Sequence, residues 1–413
     1  MTENRNIDHL FRHQSGKMVS VLTRIFGLQH LETVEDAVQD TFIKAAKTWG
    51  QHPPDNPQGW LTAAAKNRVL DLFRKLKADK ERLPKVDFGT AAIALDELFL
   101  DHEIEDSQLR MIFTACNPVL DERDQIAFAL KTISGFSTKE IAAALLLKDE
   151  TVKKRLSRAR KTISERDLRF EIPTGAQLKD RLDRALSAVY LIFNEGFHSA
   201  QQEQLIRKDL CAEAVRLVKI ILNHPSTNHP NAHALFALFC FHSARLDSKV
   251  NEKNEVVSLK DQDRSIWNQD LIYLGNAAMY KAVETEVYSA YHFEAAIASE
   301  HLLARTYADT NWKSILNWYE RLNAVRPSVM NTLSRAVVQL QLEDYESTKN
   351  TLDQINPKDL EQREYLYYGL QAEYYAAIEQ GQKALEHIDH AIELVTNQYE
   401  KDYLTKKRKK LTA

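Results

Sequence analysis

Apolar residues recur at spacings of three and four along nearly the whole chain, the pattern of amphipathic helices rather than of strands. Residues 10–26 and 34–49 give the first two, with Gly27-Leu28-Gln29 between them. In the second, Val34, Ala37, Val38, Thr41, Phe42 and Ala45 form the apolar stripe and leave Glu35, Asp36, Gln39 and Asp40 on other faces. The run His52-Pro53-Pro54-Asp55-Asn56-Pro57 breaks the pattern, and a third helix follows over 59–74. Ile126, Phe128, Ala129, Leu130 and Ile133 mark another helix, which Gly135-Phe136-Ser137 ends, with an N-cap at Ser137 or Thr138 for the next. That next helix, 139–146, is short and carries Ile141, Ala142 and Leu145 on one face. After the turn Lys148-Asp149-Glu150 a longer one, 150–165, sets Val152, Leu156, Ala159 and Ile163 on one side. Its other side is Lys153, Lys154, Arg155, Arg158, Arg160 and Lys161.

Ile172-Pro173-Thr174-Gly175 marks a boundary, and helical spacing resumes beyond it. Amphipathic segments follow at about 178–196, 209–222, 233–244, 265–283, 288–307, 312–325, 328–342, 345–355, 362–379, 382–395 and 399–410. Such a succession predicts antiparallel helix pairs with short loops, a helical-repeat array. The runs Leu340-x-Leu342-Glu343-Asp344-Tyr345 and Ile378-x-Gln380-Gly381-Gln382-Lys383 occupy like places near the turns of two hairpins, about a tetratricopeptide period apart. Eleven Gly and ten Pro in 413 residues fall well under the usual frequencies of about 7% and 5%, which disfavours sheets with tight turns. The expected fold class is all-α.

Charge is distributed unevenly. The net of −3 excludes a uniformly basic nucleic-acid binder, so contacts to DNA must come from local patches. Residues 148–169 hold nine Lys or Arg against four Asp or Glu, and residues 66–85 hold eight against three. Between these patches, 87–106 has seven acidic residues and no Lys or Arg; Leu95, Leu98 and Phe99 predict a short helix there. Cys116, Cys211 and Cys240 lie too far apart in sequence for a disulfide framework or a zinc spacing, and read as buried thiols in a reducing compartment. The opening residues MTENRNIDHLFRHQ lack an apolar h-region, and no stretch approaches eighteen uninterrupted apolar residues. A cytoplasmic protein with no membrane span, metal or cofactor is expected.

Two helices joined by a short turn, the second basic on its outer side, form the helix-turn-helix pattern whose second helix enters the DNA major groove. The stretch Thr151-Val152-Lys153-Lys154-Arg155-Leu156-Ser157-Arg158-Ala159-Arg160 resembles the V-x-x-R-L-x-R-A-R signature in region 4 of extracytoplasmic-function sigma factors. Response regulators share much of that signature, so the upstream residues decide. Trp60-Leu61 through Asn67, Asp71 and Arg74 is similar to the W-L-x-x-x-A-x-N-x-x-x-D-x-x-R pattern of region 2, and 35–42 resembles the D-x-x-Q-D-x-F pattern before it. The resemblance implies that Lys153, Lys154, Arg155, Arg158, Arg160 and Lys161 meet the minus-35 element, and that Trp60, Lys66, Asn67, Arg68 and Arg74 lie at the minus-10 element. Trp60 either stacks on an exposed base or fills the core at a helix start. Asp36, Gln39, Asp40 and Phe42 would face the clamp helices of the largest subunit of core RNA polymerase, and the acidic segment would thread a basic polymerase channel.

Residues 108–120, 190–197, 261–267 and 310–312 extend the likeness to a subgroup of these sigma factors with a long helical extension. That subgroup commonly has Cys-His-Pro where this chain has Cys116-Asn117-Pro118, and Asn-Arg-Ala where it has Ser334-Arg335-Ala336. The expected domains are 1–86 for region 2, 87–106 for the linker, 107–170 for region 4, 171–285 for a helical extension and 286–413 for tetratricopeptide-like repeats. Asn194, Glu195, Asp261, Asp263, Arg264 and His301 form either a site for a protein or small-molecule ligand or a satisfied polar network. No nucleophile, metal spacing or phosphate loop supports an enzyme. The partners implied are core RNA polymerase and promoter DNA; the competing reading is a helix-turn-helix activator with a sensing helical-repeat domain.

Overall fold

The computed structural model describes residues 2–49, 54–79, 101–145, 147–166, 168–197, 206–251 and 255–412, and helices account for nearly all the regular structure among them. Residues 250 and 256 make an isolated β-bridge. The expected short helix at Leu95, Leu98 and Phe99 lies outside the described residues, as does most of the acidic linker. The chain forms two compact units: Met1–Ile192 with Lys219–Thr227, and Phe193–Val218 with Asn228–Ala413.

In unit 1, helices α1 (Thr2–Phe26), α2 (Leu31–Thr48) and α3 (Pro57–Asp79) pack around Leu22, Val34, Val38, Leu61 and Val69, each at most 1% exposed. The predicted stripe of α2 is buried throughout, but so is Glu35, at 8%, which the periodicity had placed on an outer face. Helix α4 is Asp101–Ala115. Asp101, Glu103, Glu105 and Asp106 lie on this helix. Arg24 of α1 neutralises two of them, reaching Glu103 at 2.6 Å and Asp106 at 3.0 Å.

Helices α5 (Glu122–Thr132), α6 (Thr138–Ala144) and α7 (Asp149–Glu165) follow. Gly135 has φ 68°, a left-handed conformation that lets the chain turn between α5 and α6, and the Phe136 amide donates to the Leu130 carbonyl at 3.0 Å. Ser137 caps α6, with its hydroxyl accepting from the Glu140 amide while the Glu140 carboxylate accepts from the Ser137 amide. The expected boundary at 172–175 is displaced, because helix α8 (Ala176–Phe197) belongs to unit 1 as far as Ile192. Arg181 explains the displacement: its guanidinium donates to the Phe113 carbonyl at 2.6 Å and lies over the Phe113 ring.

Helix α9 (Lys208–Asn223) belongs to unit 2 as far as Val218, and unit 2 continues with α10 (Pro230–Ala244), α11 (Gln269–Ala282), α12 (Ala290–Leu303), α13 (Trp312–Val325), α14 (Val329–Gln341), α15 (Tyr345–Asp353), α16 (Glu364–Ala377), α17 (Gly381–Leu394) and α18 (Gln398–Leu411). Phe193 stacks on Phe239 at 4.1 Å near its start. Helix α11 begins four residues later than the sequence predicts, because Asp263 caps a separate 3-10 turn and Asn268 caps α11 itself. The hairpins α14–α15 and α16–α17 close with the same geometry. Glu343 and Glu379 take φ of 60° and 58°, and the next amide in each reaches back to close a Schellman turn, Asp344 to Gln339 at 3.0 Å and Gln380 to Tyr375 at 2.8 Å.

Candidate nucleic-acid and polymerase interface

Helix α7 is built as its spacing demands, with Val152, Leu156, Ala159 and Ile163 all at most 3% exposed. Lys153, Lys154, Arg158 and Lys161 are exposed, while Arg155 and Arg160 are half-buried. Two of the arginines seat the helix on α5. Arg158 pairs with the buried Asp124 at 2.8 Å, and Arg155 donates to the Arg123 carbonyl at 3.3 Å. Arg160 leaves the basic face and points into α2, where its Nη2 and Nε donate to Glu35 Oε2 at 2.5 and 3.1 Å. That pair answers for the buried Glu35, a residue the sequence reading passed over. A lone acid beside an apolar stripe gives no signal of an arginine 125 positions away. Burial pushes the Glu35 carboxyl above its ordinary value, and Arg160 opposes that rise.

On α2, Asp36, Gln39 and Asp40 are exposed on one side. Phe42 is not with them: at 4% exposure it is a core residue beneath α2, as its place in the apolar stripe requires. Ile43, 45% exposed, takes the surface position instead and was not foreseen. Partial burial and the neighbouring Glu32 hold the Asp36 carboxyl above the usual range. Asp40 pairs with Arg68 of α3 at 2.7 Å, so one residue expected at polymerase and one expected at DNA meet each other here.

Along α3, Trp60 is half-buried and packs edge-on against Trp49 with ring centroids 5.3 Å apart. Lys66 and Asn67 line a cavity of 590 Å³ together with Lys17, Asn56, Gln58 and Ile104. The side chain of Arg74 lies outside the described residues.

In the extension, the structure brings together only Arg264 and His301 of the six polar residues singled out. Arg264 Nη1 donates to the carbonyls of His301 and Ala304, capping the end of α12, and its guanidinium covers Trp267. Burial lowers the His301 imidazole to about 3. Asp263 accepts from Ser265, Asp261 accepts from the Ser258 hydroxyl, and both carboxylates are exposed. Asn194 and Glu195 are half-buried at the end of α8. Burial pushes the Glu195 carboxyl up to about 7, with Arg207 and Arg363 opposing. Its folded value lies above its unfolded one, so the stability it contributes is present below about pH 4.5 and fades as pH rises through 7. Thermal melts at pH 5 and pH 7.5 are expected to show this loss for the native chain and a smaller one for Glu195→Gln.

Among the described residues, no group of three or more His, Cys, Asp or Glu side chains is arranged to hold a metal, and no helix is long and apolar enough to cross a membrane. Cys116, Cys211 and Cys240 are buried and stand in no disulfide.

Comparison with known proteins divides the chain in the same order. Residues 10–78 match the model for sigma-70 region 2, residues 110–163 that for sigma-70 region 4, and residues 181–283 a family of unknown function, DUF6596. The uncharacterized protein R00370 of Rhizobium meliloti is 31% identical over 98% of this chain and 95% of its own length. The ECF RNA polymerase sigma factor SigE of Mycolicibacterium smegmatis is 28% identical over 38% of the chain and 60% of its own length. The RNA polymerase sigma factor CnrH of Cupriavidus metallidurans is 28% identical over 36% and 80%. No solved structure matches.

Proposed function

Since the chain belongs to one family with the Rhizobium meliloti protein along almost its full length, and its N-terminal part resembles sigma-70 regions 2 and 4, we propose that it is a sigma factor of the extracytoplasmic-function type with a helical extension. It binds core RNA polymerase through the exposed side of α2 at Asp36, Gln39, Asp40 and Ile43. It meets the minus-35 element with α7 and the minus-10 element with α3. The observation that carries this reading is the presence in one chain of a helix-turn-helix and, before it, the exposed acidic side of α2 beside α3. A simple activator needs the first and has no use for the second.

The chemistry of each surface fits its role. Lys153, Lys154 and Lys161 are exposed cations suited to phosphates, which fix register on the duplex without reading sequence. The cavity beside α3 offers the amides of Asn56, Gln58 and Asn67 and the cations Lys17 and Lys66, a set that suits a nucleobase and its phosphate in a melted strand. The repeated Schellman turns at Glu343 and Glu379 favour a tetratricopeptide-like array in the extension, whose role is to support or regulate initiation.

Run-off transcription with core polymerase and this protein as the sole initiation factor tests the proposal, and absence of specific transcripts in the presence of stable binding to promoter DNA alone would favour the activator. Within the same assay, Arg155→Ala is expected to weaken promoter binding by about tenfold, near the 1–3 kcal/mol of a base-reading arginine. Competition with altered minus-35 elements distinguishes a base contact from a phosphate contact, since only the first relaxes specificity at one position. Lys154→Ala serves as the phosphate comparison.

A further inference from the structure

Inside unit 2, three cations are drawn together by aromatic rings. Lys249 Nζ donates to the Phe197 carbonyl at 2.6 Å and sits over the Phe197 ring, 3.6 Å from its centroid. Arg245, which follows α10, lies over the same ring at 5.6 Å. From Arg245 the contacts lead on to Arg264. The Arg245 carbonyl accepts from the Ser248 hydroxyl at 2.8 Å, Ser248 Oγ accepts from the Trp267 indole N–H at 2.9 Å, and the Arg264 guanidinium covers Trp267 at 4.7 Å.

Among the described residues, none of the three cations forms an ion pair with a carboxylate; Glu400 and Asp309 act on Lys249 and Arg264 only through space. Arg264 is fixed, with Nη1 engaged by two carbonyls and Nη2 buried without a partner. Arg245 differs. Its guanidinium makes no hydrogen bond with the described residues, and the residue keeps part of its surface open. Burial nevertheless pushes it down to about 10, with the Tyr319 hydroxyl opposing and Arg264 adding to the fall. Lys249, also half-buried, is pushed down to about 7 by burial and by Arg245. A side chain surrounded by protein yet not sealed by it lines a recess. A charge left unpaired in such a place costs stability until an anion arrives to meet it.

We propose that this recess of unit 2 binds a small phosphoryl dianion, orthophosphate or the phosphate of a monoester, on the Arg245 guanidinium with Lys249 beside it and the fixed charge of Arg264 behind. The planar fork of an arginine matches two oxygens of a phosphate at once, and charge-assisted bonds of this kind are about twice as strong as neutral ones. Three cations on one recess suit a doubly charged ligand better than a single carboxylate. The walls are the ring of Phe197 and the half-buried Tyr319 of α13, so the ligand is a small molecule and not a duplex.

Calorimetric titration of the full chain in phosphate-free buffer at constant chloride, with orthophosphate, glucose 6-phosphate and succinate as probes, tests this. One phosphoryl anion is expected to bind at one site per chain, at least tenfold more tightly than succinate, and to raise the melting temperature by a few degrees. Preference for orthophosphate identifies the free ion as the ligand, and preference for the ester a phosphorylated small molecule. Arg245→Met is expected to weaken that binding at least tenfold while the ligand-free protein melts no lower than the native chain, because the substitution removes an unpaired charge. Lys249→Met should weaken binding severalfold, and it covers the case in which Arg245→Met fails to fold. An arginine with a purely structural role would give the reverse, a lower melting temperature with anion binding unchanged. Absence of phosphoryl binding at millimolar concentration, or tighter binding of succinate, overturns the proposal. So does native affinity in both variants, which would put the anion on the exposed lysines of α7 instead.

Discussion

A chain ended after Arg169 is expected to lose transcription and to melt far below the full-length protein, whereas a chain ended after Thr227 is expected to keep the melting transition of unit 1. The shorter cut removes residues 176–192 and 219–227, which belong to the same compact unit as the helix-turn-helix. Among them Leu182, Ala185, Leu186 and Val189 are at most 3% exposed. Burial of a leucine or valine side chain contributes about 1.5–3 kcal/mol, so three such side chains amount to several kcal/mol against a typical total of about 5–15. The cut also takes Arg181 from the Phe113 carbonyl, at the end of the helix on which α5 is built. Calorimetry of the two fragments reads this directly. Equal melting temperatures would mean that α8 contributes nothing to unit 1. With the stable fragment in hand, its transcription relative to the full chain reports whether unit 2 supports initiation, and loss of transcripts with polymerase binding retained is the outcome expected.

Asp40→Arg is expected to reduce association with core polymerase by two orders of magnitude or more while leaving the melting temperature within a few degrees. Asp40 and Arg68 are both close to half exposed, and an exposed pair contributes about 0–1 kcal/mol to stability. The reversed charge faces Arg68 at the former pairing distance, so both cations turn outward to solvent, on the side proposed to meet polymerase. Repulsion across an interface costs several kcal/mol, against tenths for its effect within the monomer. Asp40→Asn, which removes the charge without reversing it, should fall between. Titration of labelled core polymerase with the three proteins makes the comparison, and equal affinities would remove Asp40 from the interface.

Much of this was legible in the order of residues, because helices record their burial locally. The stripe Val34 to Ala45, the cap at Ser137 and the buried seam Val152 to Ile163 each follow from neighbours three or four positions apart. The same logic located the family resemblance, since signatures of regions 2 and 4 are short and sit on single helices. Phe42 shows where a resemblance and periodicity pulled apart: the stripe already required it in the core, and the core is where it lies.

What only the tertiary structure decided are the pairings between distant positions. Glu35 reads as one more acid on an acidic helix until Arg160 is set against it, and Arg160 reads as one more cation on a basic helix. Gly16 carries no pattern at all, because what it must avoid is a backbone atom of Ile133, over a hundred positions away. The boundary of unit 1 likewise passes beyond Pro173-Thr174-Gly175, which looks like a linker, because Arg181 reaches back to Phe113. Local spacing sets which face of a helix is apolar. Which helix that face then meets, and which charge is drawn in with it, depends on contacts whose partners leave no mark on one another's neighbourhood in sequence.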